Sequence, residues 1–170
     1  MSLLNEPTNK NFLSPLGFVF NLKKTPATNF FVTRASLPGL NLAFAEIPTP
    51  FVKMPVPGEK IQFNDLSITF KVDEDMRNWN EIFEWMVALG FPKSFDQYKE
   101  IRQKQLGEGI YSDATLLILN SSMNPNVEFQ FVNLFPYMLS DLDFSTQGAD
   151  VEYIEATVQF RYEYFTARKL

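Results

Sequence analysis

The sequence predicts an α+β fold dominated by antiparallel sheet: a β-sandwich or small barrel with one packed helix. Three observations carry this reading. Several segments alternate apolar and polar residues with the period of a strand, and one stretch alone shows a long helical stripe. The order is strands, one helix, then strands again, with no internal repeat and no composition shift that would mark a boundary. A length of 170 residues fits one domain with a substantial core, and 45% hydrophobic against 21% charged residues is a globular balance.

Residues 1–16 are polar, carry Pro7 and Pro15, and read as a loose N-terminal arm ahead of a single β domain over 17–165. "GFVFNLKK" (17–24) and "NFFVTRASL" (29–37) read as extended segments joined by the turn "TPAT". The next stretch, 44–60, is unusual. Pro48, Pro50, Pro55 and Pro57 bar it from the interior of a sheet. Yet Phe44, Ile47, Phe51, Val52, Met54 and Val56 make it too apolar for an idle loop. Prolines also lower the entropy lost when a segment docks, so this arm reads as a handle for a neighbouring chain. Phe44, Ile47, Pro48, Pro50, Phe51 and Met54 are its candidate contact residues. "IQFNDLSITFKV" (61–72) resumes the alternation, with Leu66, Ile68, Phe70 and Val72 on one face.

The helix is expected over 76–90, entered through the acidic "DED" and ended by Gly90 and Pro92. Its stripe is Met76, Trp79, Ile82, Phe83, Met86 and Leu89. That assigns Trp79 to the core and leaves Trp85 beside the stripe, either in the core or against a second chain. Residues 91–112 read as a polar insertion, a short helix or a cover over one edge. "ATLLILNSS" and "VEFQFVNLF" around "MNPN" predict a hairpin. A closing strand follows over 151–165, leaving 166–170 as a tail. One face of this strand holds Val151, Tyr153, Glu155, Thr157, Gln159, Arg161 and Glu163. The other holds Ile154, Ala156, Val158, Phe160, Tyr162 and Tyr164. Glu155, Gln159 and Glu163 are therefore placed against water, on an outer surface or lining a channel. So long a strand, in a chain with unpaired edges, suits a protein that assembles with its own copies.

Chemistry is hard to find. The chain has no histidine and no cysteine, which removes disulfides, zinc sites built on those ligands and every His-based acid–base pair. Asp73, Glu74 and Asp75 form the densest carboxylate cluster, which reads as a strand-to-helix turn ahead of half a metal site. Asp141, Asp143 and Asp150 lack a calcium-loop pattern. There is no G-x-S-x-G, G-x-G-x-x-G or P-loop. No enzyme, cofactor or metal is expected. A net charge of −5 and pI near 4.8 argue against gripping a phosphate backbone. No apolar run approaches a membrane span and no secretory signal is visible, so the product is expected in the cytosol when made.

Taken in order, "SLPGLNLAFAEIPTPF", "PGEKIQFNDLSITFKVDEDMRNWNEIFEWM" and "FVNLFPYMLSDLDFSTQGADVEYIEATVQFRYEYF" resemble the tail tube proteins of contractile-tailed bacteriophages of the T4 type. The shared features are the early Leu-Pro, the Ile-Pro-x-x-Phe arm, the acidic "VDED", and the Trp-bearing helix. An "LFP" turn, a short "LDF" strand and a long final aromatic strand complete the pattern. The resemblance covers about 17–165 and rests on order and spacing rather than on any single motif. It implies a tail-tube-like subunit forming hexameric rings that stack into the inner tube, with residues 44–60 bridging copies or rings. It also implies a sheath outside, a tape measure protein inside, baseplate hub proteins at one end, and DNA passing the lumen unbound. The location would be the virion, with assembly in host cytoplasm. The N-terminal arm and 91–112 depart from a plain tube subunit, which keeps a baseplate tube initiator as the alternative.

Overall fold

A computed structural model describes residues 10–90, 109–145 and 153–170. Within them run β1 (Phe18–Leu22), α1 (Pro26–Phe30), β2 (Val32–Ser36), β3 (Leu40–Pro48), β4 (Lys53–Phe63) and β5 (Leu66–Lys71). Then come α2 (Arg77–Gly90), β6 (Ser112–Leu119), β7 (Pro125–Leu139), β8 (Glu155–Arg161) and β9 (Tyr164–Lys169). Every strand pair is antiparallel. One sheet runs β1-β6-β7-β8-β5-β2 with β9 also on β7, and β3-β4 form a separate ribbon.

Strand β7 joins the two halves of the large sheet. Its front part lies between β6 and β9, and its last residues, Phe135 to Leu139, pair with β8 instead. Asn133 sits at the change-over in the left-handed region at φ 55°, which asparagine tolerates better than most side chains. The expected "LFP" turn (134–136) is therefore strand, because the bend comes one residue earlier. The expected strand at "LDF" (142–144) does not form. The hairpin around "MNPN" does form: the Asn120 side-chain carbonyl accepts from the N–H groups of Ser122 and Asn124, closing the turn.

The core is built by alternation from both halves. Phe20, Leu22, Ala114, Leu116, Phe131 and Leu134 meet Leu66, Ile68, Phe70, Ala156, Val158 and Phe160, all buried. Helix α2 adds Ile82 and Trp85.

Its inward face differs from the stripe expected over 76–90: Asn78, Ile82, Trp85 and Ala88 are buried, and Trp79 is only half-buried. The cause is local. Met76 takes a positive φ of 53°, and the Asn78 side chain turns inward to donate to the Lys71 carbonyl at 2.8 Å. Asn78 and Asp73 also exchange hydrogen bonds, each through its backbone N–H to the other's side-chain oxygen. With Asn78 fixed inward, positions four, seven and ten further on follow it. Trp85 then donates its indole N–H to the Ile110 carbonyl at 3.1 Å, while Lys24 lies over its ring. The "DED" acids thus belong to the strand-to-helix turn, with α2 starting only at Arg77.

Two further expectations change. Pro26–Phe30, from "TPAT" and the start of the next segment, form the short helix α1 rather than turn and strand. Pro26 suits its first position, where no N–H is needed. The closing strand of 151–165 is two strands: β8 stops at Arg161, the chain turns at Tyr162 and Glu163, and β9 runs back along β7. The supposed tail 166–170 is largely β9. The reason is the second edge of β7, which is free to pair. Residues 1–9, most of the 91–112 insertion, and Asp150, Val151 and Glu152 lie outside the described residues.

Candidate functional site

The arm expected over 44–60 is a β-hairpin, β3 and β4 with a four-residue tip at Thr49–Val52. Its prolines do not prevent this pairing, because a two-stranded ribbon has no interior strand. Glu46 faces Pro55 and Phe44 faces Pro57. Pro55 and Pro57 are two apart, so both ring nitrogens point to the same side of β4, the outer one, where no ladder partner is required. The same placement blunts that edge against unspecific strand addition. The tip closes through Thr49, whose N–H donates to the Val52 carbonyl while its hydroxyl accepts from the Val52 N–H. Lower down, Ala43 alone faces Gly58, Glu59 and Lys60, a bulge that brings the strands very close. A Cβ on Gly58 would stand 2.6 Å from the Ala43 carbonyl oxygen, so only glycine fits there.

The hairpin stands clear of the core. Every residue of β3 is exposed. Phe51 at the tip is 99% exposed, Phe44 69%, Met54 50% and Ile47 45%. Leu40, Leu42, Val52 and Ile61 are exposed as well. Pro48 closes β3 against Lys53, and Pro50 sits in the tip. These residues therefore lie on an exposed ribbon, and the sequence reading missed that they pair with one another.

The root of the hairpin is tied down. The Phe63 ring packs edge-on against Tyr162 and Phe165, at 5.9 and 5.6 Å between centroids. The Asn64 N–H donates to the Gly39 carbonyl, and its side-chain carbonyl accepts from the Asn41 amide. Its backbone carbonyl accepts from the Tyr162 hydroxyl at 2.8 Å. Asp65 accepts from the Tyr137 hydroxyl and from Arg161. No sequence signal pointed to these residues, since each is a single polar or aromatic position in an alternating run.

The second candidate feature is the outer face of β5 and β8. Glu155 is exposed and Gln159 half-exposed. Across the pair, Lys71 faces Glu155, Thr69 faces Thr157 with hydroxyls 3.1 Å apart, and Ser67 faces Gln159. Glu163 does not continue this face. It lies at the β8–β9 corner, where its carboxylate accepts from the Asn133 amide at 2.6 Å. This face carries charges of both signs: Asp65 and Glu155 beside Lys71 and Arg161, with Arg34 of β2 facing Thr69.

Tyr162 gives this region a measurable signature. Partial burial and the nearby Asp65 carboxylate push its phenol up to about 12. The folded value exceeds the ordinary one near 10, so the contribution is complete below pH 10 and disappears as pH rises towards 12. Tyr162→Phe is expected to cost about 1 kcal/mol at neutral pH through the lost hydrogen bond. Melting curves between pH 9 and 11.5 should then fall less steeply for the variant than for the parent. Equal slopes would place the alkaline sensitivity elsewhere.

The sequence matches the family model described as "Phage tail tube protein" over residues 7–168. It is 28% identical over 174 residues to the tail tube terminator protein of Enterobacteria phage T4, covering 89% of this chain and 92% of that one. In structure it is similar to the tube-terminating cap of the anti-feeding prophage, with TM-score 0.60, 17% identity and full coverage of both chains. It is also similar to a chain of the sheath-tube complex of the extracellular contractile injection system PVC. That match has TM-score 0.61 and 12% identity, over 95% of this chain and 94% of the other. Among the described residues, no helix is long and apolar enough to cross a membrane.

Proposed function

Since this chain belongs to the phage tail tube protein family, we propose that it is a ring-forming subunit of a contractile tail and forms the ring that ends the inner tube. The observation that carries ring formation is the β3–β4 hairpin, a ribbon that displays Phe44, Ile47, Phe51 and Met54 to solvent. A standard interface takes about 800 Å² from each partner, and eight large apolar side chains at roughly 100 Å² apiece supply that from one side. A projecting element that docks on a different part of the next copy makes a head-to-tail contact, which closes into a ring when the rotation between copies divides a full turn. Six copies is the number the family resemblance implies.

The terminal position is supported by the similarity to the T4 tail tube terminator across nearly the whole of both chains. A second reading, the repeating tube subunit, is favoured by the description of the family itself. In either place the neighbours would be tube rings and sheath, and in the second also the tape measure protein and baseplate hub. The β5–β8 face, Glu155 and Gln159 included, would be turned to the lumen. A mixed-charge face on a chain of net charge −5 gives no lasting hold on a phosphate backbone, so DNA would slide past. A baseplate initiator would use the same ring at the other end.

Copy number and location decide among them. A labelled chain counted in purified particles should appear as one ring's worth, at the tube end away from the baseplate. Hundreds of copies along the tail would make it the tube subunit, and one ring at the baseplate would make it the initiator.

A further inference from the structure

We infer that the β8–β9 corner sets the direction in which the hairpin projects, with Phe63, Asn64 and Tyr162 as positioning residues for assembly. The inference rests on the reading of the hairpin as the contact between copies. Three consecutive residues at the end of the ribbon each grip the same corner of the body. Phe63 does so through ring contacts with Tyr162 and Phe165. Asn64 does so through its carbonyl and the Tyr162 hydroxyl, and Asp65 through Arg161 and Tyr137. Asn64 also joins both roots of the ribbon, since it bonds Gly39 and Asn41 on the incoming strand. The ring cluster does not end there: Phe131 lies 5.1 Å from Tyr162 and 5.5 Å from Phe165, and Phe131 is fully buried. The hairpin root is thus connected through Tyr162 to the centre of the core.

An isolated two-stranded ribbon is marginal in water, and one swinging on its root would lose that freedom whenever it docked. The root contacts remove the swing beforehand. They also explain why the last strand breaks at Tyr162 and Glu163: the break lets Tyr162 face the hairpin while β9 turns onto β7.

The chain lacks cysteine, so labels can be placed cleanly. Spin labels on Phe51→Cys at the tip and Ser122→Cys in the β6–β7 turn report the tip-to-body distance in the unassembled chain. The parent is expected to give one narrow distance distribution. Phe63→Ala with Tyr162→Phe should broaden it at least about twofold and, in the unlabelled chain that keeps Phe51, slow ring formation about tenfold, without changing the circular dichroism spectrum. Ile68→Ala, a core truncation of comparable cost away from the root, should leave both readouts where they were. An unchanged distribution in the root variant overturns the inference, and so does a broadened one with an unchanged assembly rate. If removing the tip's apolar side chains leaves assembly intact, the bridging role of the hairpin falls instead, whatever the distances show.

Discussion

Replacing Trp85 with alanine is expected to destabilise the chain by about 3–5 kcal/mol, the usual range for a fully buried aromatic residue. Three losses combine. The indole is 2% exposed and packs towards Phe160, so its removal leaves a void that strand residues cannot fill without leaving their register. The Ile110 carbonyl loses its donor. The Lys24 ammonium loses the ring beneath it. Against a total stability of about 5–15 kcal/mol this is a large fraction, and the thermal midpoint should drop on the order of 10 °C. Trp85→Phe keeps much of the volume and should lose only about 1–2 kcal/mol. Trp79→Ala should cost less than half as much as Trp85→Ala. Trp79 is half-buried and stacked on Phe83, and its buried N–H finds no acceptor among the described residues. Chemical denaturation of the three variants checks the ranking, and Trp79→Ala as the costlier change would reverse the face of α2 described above.

That ranking is the opposite of the one the helical stripe suggests, and the reason shows where sequence reading stops. Periodicity finds the helix, but its rotation is fixed by one buried asparagine that no hydrophobic pattern registers. The alternation of β5 and β8 was fully legible, because each strand buries one face and exposes the other. What was not legible is where pairing partners end: β7 continues through Leu134-Phe135-Pro136, and the last strand breaks so that β9 can use the second edge of β7. Both depend on contacts between distant segments. The apolar, proline-rich character of residues 44–60 was plain from composition alone. Their hairpin form was not, since the same prolines that exclude a central strand are compatible with a ribbon of two edges.

That hairpin carries the second large effect. Ile47→Ser with Phe51→Ser is expected to abolish association between copies while leaving the folded subunit unchanged. Phe51 is fully in solvent and Ile47 nearly half so, and their loss removes little from the core. Stability should therefore stay within about 0.5 kcal/mol, the range of surface changes. At an interface the same truncations remove the aromatic anchor of the contact, worth about 2 kcal/mol or more, close to thirtyfold in affinity. In a closed ring every copy gives one hairpin and receives another, so the deficit recurs at each junction and rings give way to free subunits. The measurement pairs melting curves with sedimentation and electron microscopy, seeded with preformed tubes so that slow nucleation does not hide assembly. Rings of normal size from the double variant would remove the hairpin from the interface. A melted variant would instead place Ile47 and Phe51 in the fold of the subunit, against the exposure that makes them candidates at all.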